Sequence, residues 1–195
     1  MNENIKKFIS ISLWVAAILL LIRCFISWAD LKSMFESRNL SNLCYNLFGF
    51  IGEAIGITGI IMAVFNKWAW RWKWLRWTHS IPVLAQKYSG IFTSDYDQIE
   101  RSGSLTINQT FLSVNIQFRT SESSSRSLTA SFSLLNGVQY LIYNYQNDPR
   151  GEIQDQSPMH YGTAMLNVTN SLELEGNYFT GRKTRGSMSF SVSAQ

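Results

Sequence analysis

The sequence predicts an N-terminal two-helix transmembrane hairpin followed by an all-β domain, an antiparallel eight-stranded up-and-down β-barrel. Three observations carry this reading. Two apolar runs, near residues 8–28 and 43–65, are long enough to cross a hydrocarbon core about 30 Å thick. A belt of tryptophans and cations follows the second run at residues 66–77. From about Ile81 onward, apolar residues recur at every second position in short runs separated by turn residues, the period of half-buried strands.

The first run has Lys6 and Lys7 ahead of it and is interrupted only by Arg23. No small-residue cleavage site follows. The run continues through Cys24, Phe25 and Ile26 to Trp28, a residue suited to the interface, so it reads as a retained helix rather than a signal peptide. The stretch 29–42 reads as a short loop, and its Asp30, Lys32, Glu36 and Arg38 cancel in charge. Lys67, Arg71, Lys73 and Arg76 crowd the exit of the second run. Positive charge is retained on the cytoplasmic side, so both chain ends are expected there.

The second run carries Gly49, Gly52, Gly56 and Gly59 at intervals of 3, 4 and 3 residues, one smooth stripe at helical pitch. Gly52 and Gly56 form a GxxxG spacing, which lets two helix backbones approach closely. Two readings stand: assembly between copies, or contact with the other membrane helix of the same chain. Glu53, beside the stripe and near mid-membrane, is a costly charge that needs protein, water or a proton. Arg23 lies about 7 Å from it in depth at a rise of about 1.5 Å per residue, near the reach of a long side chain.

Residues 66–77 interleave Trp68, Trp70, Trp72, Trp74 and Trp77 with four basic residues, which suits an interfacial collar among headgroups. A nucleic-acid patch is the competing reading. Residues 1–79 carry nine basic and four acidic side chains, so the remainder of the chain is at −1 within a total of +4. A near-neutral domain lacks the phosphate contacts that general DNA or RNA binding needs, so no nucleic-acid polymer is expected as partner. Any nucleotide it takes should be small and enclosed. Cys24 and Cys44 both fall in or beside the apolar runs and read as small apolar residues, although a bridge between them is conceivable.

Residues 80–195 form the second domain, with strands expected near 88–95, 103–108, 111–119, 126–135, 138–146, 161–168, 171–179 and 185–192. Asn136-Gly137 suits a tight hairpin, and 147–151 opens the longest loop. Closure into a barrel removes the sheet edges, with a sandwich as the alternative. Alternation turns Leu172, Leu174, Gly176 and Tyr178 inward, and likewise Leu105 and Ile107, Val114 to Phe118, Leu128 to Leu134, and Met188 to Val192. In 138–146, Tyr140 and Ile142 oppose Leu141, Tyr143 and Tyr145, so its facing stays open.

Catalysis finds no support. His79 and His160 have no local nucleophile or metal-ligand pattern, and no phosphate-cradling glycine loop is present, so no enzyme, no metal and no cofactor are expected. Asp95 and Asp97 read as a solvated strand end. The last hairpin, residues 181–186, places Arg182, Lys183 and Arg185 at the barrel rim, where guanidinium groups suit phosphates. A plain solvated turn is the alternative.

Two membrane helices followed by HYGTAMLNV at 160–168 and LEGNYFTGRKTRGSMSF at 174–190 resemble the two-transmembrane β-barrel effectors of cyclic-oligonucleotide-based antiphage signalling (CBASS), the SMODS-associated two-transmembrane β-strand-rich family. The most specific part is G-x-Y-x-T-x-R-x-x-x-G, here Gly176, Tyr178, Thr180, Arg182 and Gly186, with Tyr143, Tyr145 and Pro149 as weaker support. The resemblance implies a barrel that senses a cyclic dinucleotide made by a partner nucleotidyltransferase. It further implies ligand-driven homo-oligomerisation of the helices, disruption of the bacterial inner membrane and death of the infected cell. On the matching motif it points to Tyr178 and Arg182 as ligand residues. Tyr143, Tyr145 and Thr163 join them from the strand pattern, as stacking and polar contacts. The competitors are a membrane-tethered barrel for a lipophilic ligand and a structural membrane-assembly subunit.

Overall fold

A computed structural model describes residues 3–155 and 157–193. The chain divides into two compact units, Met1–His79 and Ser80–Gln195. In the first, α1 (Glu3–Ile26) and α3 (Leu40–Lys67) are both long and apolar enough to cross a membrane. The expected loop between them is mostly helix: α2 (Trp28–Glu36) follows α1 with one intervening residue. None of its nine residues is β-branched, proline or glycine, and the chain turns at Arg38, in the left-handed region at φ 55°. Asn39 then caps α3, its side-chain oxygen accepting from the Asn42 amide at 3.3 Å. The collar tightens into two 3₁₀ turns, Ala69–Arg71 and Lys73–Thr78.

One face of α3 is buried, through Phe50, Ala54, Thr58, Met62 and Phe65, spaced at near-whole turns. The glycine stripe lies on the other side: a Cβ added at Gly49, Gly52, Gly56 or Gly59 would meet nothing within 4 Å. Glu53 is paired within the hairpin. Arg23 Nε donates to Glu53 Oε2 at 2.9 Å, its Nη1 donates to Ser27 Oγ at 3.0 Å, and the guanidinium sits 4.5 Å from the Phe50 ring centroid.

The second unit is a closed barrel of eight strands in sequence order. They are β1 (Lys87–Ser94), β2 (Glu100–Gln109), β3 (Val114–Arg119), β4 (Ser123–Leu135), β5 (Val138–Pro149), β6 (His160–Asn167), β7 (Glu173–Thr180) and β8 (Arg185–Val192). Every neighbouring pair is antiparallel, and β1 closes on β8 with Gly90 opposite Phe190 and Ser94 opposite Gly186. The hairpin at Asn136-Gly137 takes positive φ at both residues, 50° and 81°, as its sequence requires.

Alternation holds along most strands. Leu105, Ile107, Val114, Ile116, Phe118, Leu174, Tyr178, Met188 and Phe190 all fill the interior. β5 resolves its ambiguity by turning Leu141, Tyr143 and Tyr145 inward. The exception is β4. A bulge between Ser127 and Thr129 leaves Leu128 without a partner across from β5, and it faces out at 59 % exposure. The extra residue shifts parity, so Ser125 is buried before the bulge and Ala130 and Phe132 turn to the core after it. Leu134 and Leu172 lie at strand ends and are exposed.

One end of the barrel is closed by the segment that leads into β1. Gln109, buried at the end of β2, accepts from the Leu84 amide at 3.1 Å and donates to the Pro82 carbonyl at 2.7 Å. Tyr88 donates to the Ser171 carbonyl at 2.6 Å and accepts from the Ala85 amide at 2.9 Å. The opposite end, where β1 meets β2, β3 meets β4, β5 meets β6 and β7 meets β8, remains open.

Candidate functional site

A cavity of about 400 Å³ opens at that free end. This lies within the usual range of small-ligand pockets, about 300–1,000 Å³. Its wall is made by inward positions near the strand ends: Phe92 and Ser94 from β1, Arg101 from β2, Ser125 from β4, Tyr145 and Asn147 from β5, and Tyr178 and Thr180 from β7. Turn residues complete the mouth, among them Asp97, Glu122, Ser157 and Arg182.

Three of the five sequence-derived ligand residues therefore meet in one cavity: Tyr145, Tyr178 and Arg182. Tyr143 is one inward step deeper. Its ring lies 5.9 Å from that of Tyr145, it is 2 % exposed, and its hydroxyl has no hydrogen-bond partner among the described residues. It is a core residue beneath the cavity. Thr163 stands on the outer wall, because its neighbours Ala164 and Leu166 take the inward parity. Its hydroxyl donates to Asn144 Oδ1 at 2.7 Å, and Asn144 in turn donates to Thr129 across β4 at 3.0 Å.

Both cavity tyrosines are made room for by glycines of the sequence motifs. A methyl at Gly186 would run into the Tyr178 ring and the Thr93 carbonyl, and a methyl at Gly162 would meet the Tyr145 phenol. Burial raises the phenol pKa of both, so each keeps its proton and its hydrogen-bond donor at neutral pH. Phe92 packs against Tyr178 edge-on, with ring centroids 6.5 Å apart.

Two arginines face the mouth. Arg182 Nη1 donates to Ser157 Oγ at 2.6 Å. Arg101 makes a two-pronged pair with Asp97, one bond of which is 3.1 Å from Nη1 to Oδ1. The hydrogen bond from Arg101 holds the Asp97 carboxyl at about 2, well below its usual value. Asp95 does the same structural work next door, accepting from Arg185 Nε at 3.0 Å and from its amide at 3.1 Å. The two aspartates thus pair with rim arginines at the end of β1, where Asp95 is exposed. Between the tyrosines and the mouth, Ser125 donates to Asn147 Oδ1 at 2.7 Å, with both residues buried.

The residues that motif reading missed, Arg101 and Asn147, carry a simple signal. Arg101 shares parity with Leu105 and Ile107, so alternation places it inside, and Asn147 shares parity with Tyr143 and Tyr145, so it follows once that strand's facing is known. Among the described residues no group of three or more His, Cys, Asp or Glu side chains is arranged to hold a metal ion.

Chemically, the cavity offers the rings of Phe92, Tyr145 and Tyr178, the guanidinium groups of Arg101 and Arg182, the carboxylates of Asp97 and Glu122 at its mouth, and a carboxamide and hydroxyls at its wall. This suits a planar, polar ligand better than a lipid. The comparisons with known proteins agree with that chemistry. A family model described as the Cap15 cyclic dinucleotide receptor domain matches residues 79–191. Two relatives, each named CD-NTase-associated protein 15, align along nearly their whole length. The one from Staphylococcus schleiferi is 28% identical over 96% of this chain and 97% of its own. The one from Yersinia aleksiciae is 31% identical over 96% of this chain and 90% of its own. With the family model matching more than half of the chain and the relatives covering nearly all of it, the chain belongs to the Cap15 family of CBASS effectors.

Proposed function

We propose that the open-end cavity is the receptor site for a cyclic dinucleotide made by a partner nucleotidyltransferase. The observation that carries this is the convergence of Tyr145, Tyr178, Arg101 and Arg182 on one cavity of about 400 Å³. A cyclic dinucleotide presents two phosphates and two bases. Arg182 supplies donors for phosphate, Arg101 adds a positive charge beside Asp97, and the tyrosines supply faces for bases. Asn147, whose side-chain oxygen accepts from Ser125, lines the same cavity, and its amide nitrogen is the group we assign to a base edge.

Ligand binding in turn drives homo-oligomerisation of the two apolar helices in the bacterial inner membrane, with both chain ends cytoplasmic. The clustered helices disrupt the membrane and kill the infected cell. The glycine stripe supports this reading, since α1 packs on the other face of α3 and leaves Gly49, Gly52, Gly56 and Gly59 open to a neighbour. Glu53 serves the hairpin itself, through Arg23.

Isothermal titration of the full chain in nanodiscs with a panel of cyclic dinucleotides tests the receptor site. Arg182→Ala is expected to weaken the best ligand by about 1.5–3 kcal/mol, the range for a hydrogen bond to a charged group, at an unchanged melting temperature. Unchanged affinity would remove Arg182 from the site. Reporter fusions after the barrel test the topology: a periplasmic signal would contradict it, because a cytosolic messenger would not reach the cavity.

A further inference from the structure

Three arginines that the receptor site does not use gather on the outside of the barrel. Arg119 on β3, Arg126 on β4 and Arg150 just after β5 line a groove of about 350 Å³ whose lining holds no acidic side chain. All three are exposed, and among the described residues no carboxylate lies within ion-pair distance of any of them. The strand register sets Arg126 beside Gln117 and Arg119 beside Ser124, so the two cations sit diagonally on adjoining strands. The nearest acids by register are Asp148, opposite Ser124, and Glu122 in the turn, and neither pairs with these arginines.

The opposite wall is the electrostatic complement. In an eight-stranded barrel, β3–β4 and β7–β8 are four strands apart and face away from each other. There a broad groove of about 710 Å³ carries Glu100 and Glu175 and no basic side chain. Its floor is flattened by Ser187 and Ser189 of β8, and Ile91 and Phe179 stand exposed at its sides. Among the described residues, one wall thus offers cations outside any ion pair, and the other offers carboxylates outside any ion pair together with apolar surface.

We propose that neighbouring copies dock wall to wall, the β3–β4 arginines of one barrel against the Glu100/Glu175 groove of the next. This rests on the membrane assembly proposed above and adds its cytoplasmic contact. Copies anchored in one membrane hold their barrels at high local concentration, where complementary surface charges can select a contact. A like-with-like contact through either wall would bring equal charges together, which costs free energy. The contact is therefore heterologous, and a heterologous contact propagates into rows or rings instead of stopping at a dimer.

Disulfide trapping in membranes, oxidised with and without a panel of cyclic dinucleotides, tests this, and the outcomes below are those read with the nucleotides added. In a Cys24→Ser/Cys44→Ser background, the chain carrying both Arg126→Cys and Glu175→Cys is expected to give a ladder of dimers, trimers and higher species on mild oxidation. Each single-cysteine chain should stay monomeric, and the two co-expressed should stop at dimers. Charge reversal by Arg119→Glu with Arg150→Glu should weaken the ladder several-fold, and adding Glu100→Arg should restore part of it. No ladder, dimers from a single-cysteine chain, or a ladder indifferent to charge reversal would each overturn the proposal. Gly56→Cys in the same background separates the two readings. Dimers there without a wall ladder sink the wall contact alone, whereas neither crosslink sinks the assembly reading as well.

Discussion

At the scale of single residues, the open rim is held together by pairs of unequal exposure. Asp97 grips Arg101 on the cavity side, and Asp95 grips Arg185 on the outer side. Because the Asp97 carboxyl is held at about 2, below its unfolded value of 3.8, its pairing stabilises the fold above about pH 4 and is lost as pH falls through about 2. The melting temperature of wild type should therefore exceed that of Asp97→Asn at pH 6, and the gap should close between about pH 4 and 2. A gap that stays constant over that interval would show that the pair does not persist in solution. Tyr143 makes the converse case. Its buried hydroxyl has no hydrogen-bond partner among the described residues, and leaving such a group unsatisfied costs about 1–3 kcal/mol. Tyr143→Phe should leave ligand affinity unchanged and should hold or raise stability by about 1 kcal/mol, measured by denaturant unfolding. A loss of affinity would mean that the hydroxyl serves the ligand after all.

At the scale of elements, the barrel was largely legible because each strand obeys a period of two and each turn carries its own chemistry. Asn136-Gly137 could only be a tight hairpin, and the eight strands were each recognisable within a few residues. β4 escaped because a bulge is a local insertion in the register: nothing in Ser127-Leu128-Thr129 departs from alternation, yet the pairing with β5 skips Leu128. The lining of the open-end cavity was half legible. Motif likeness pointed to Tyr178 and Arg182, and the strand pattern to Tyr145, all of which line it, whereas Thr163 falls on the outer wall, one residue of parity away, and Arg101 hid in a strand beginning that looked merely polar. The motif glycines have a stated physical role, which makes them testable. Gly162→Ala should push the Tyr145 phenol aside, destabilising the barrel by about 1–3 kcal/mol as overpacking does and weakening the cyclic dinucleotide in titration. Wild-type affinity in a folded Gly162→Ala chain would show that Tyr145 is not a ligand contact.

At the scale of the whole molecule, a receptor cavity and an apolar hairpin belong to one chain, and the proposed function joins them through assembly. The face of α3 that holds α1 uses Phe50, Ala54, Thr58, Met62 and Phe65, so bulk on the glycine face should spare the hairpin. Gly56→Leu is expected to leave expression and ligand affinity at wild-type levels while cutting ligand-induced crosslinking of copies and membrane leakage. Low protein levels without ligand would instead assign the glycines to folding of the single chain. The most direct measurement is dye release from liposomes holding the full chain, with the best-binding cyclic dinucleotide added outside to barrels that face outward. Release should follow the cyclic ligand and not its linear counterpart, and Arg101→Ala/Arg182→Ala should abolish it in a chain that still folds. Release that ignores the ligand, or that survives the double substitution with affinity intact, would contradict the open-end cavity as the sensor.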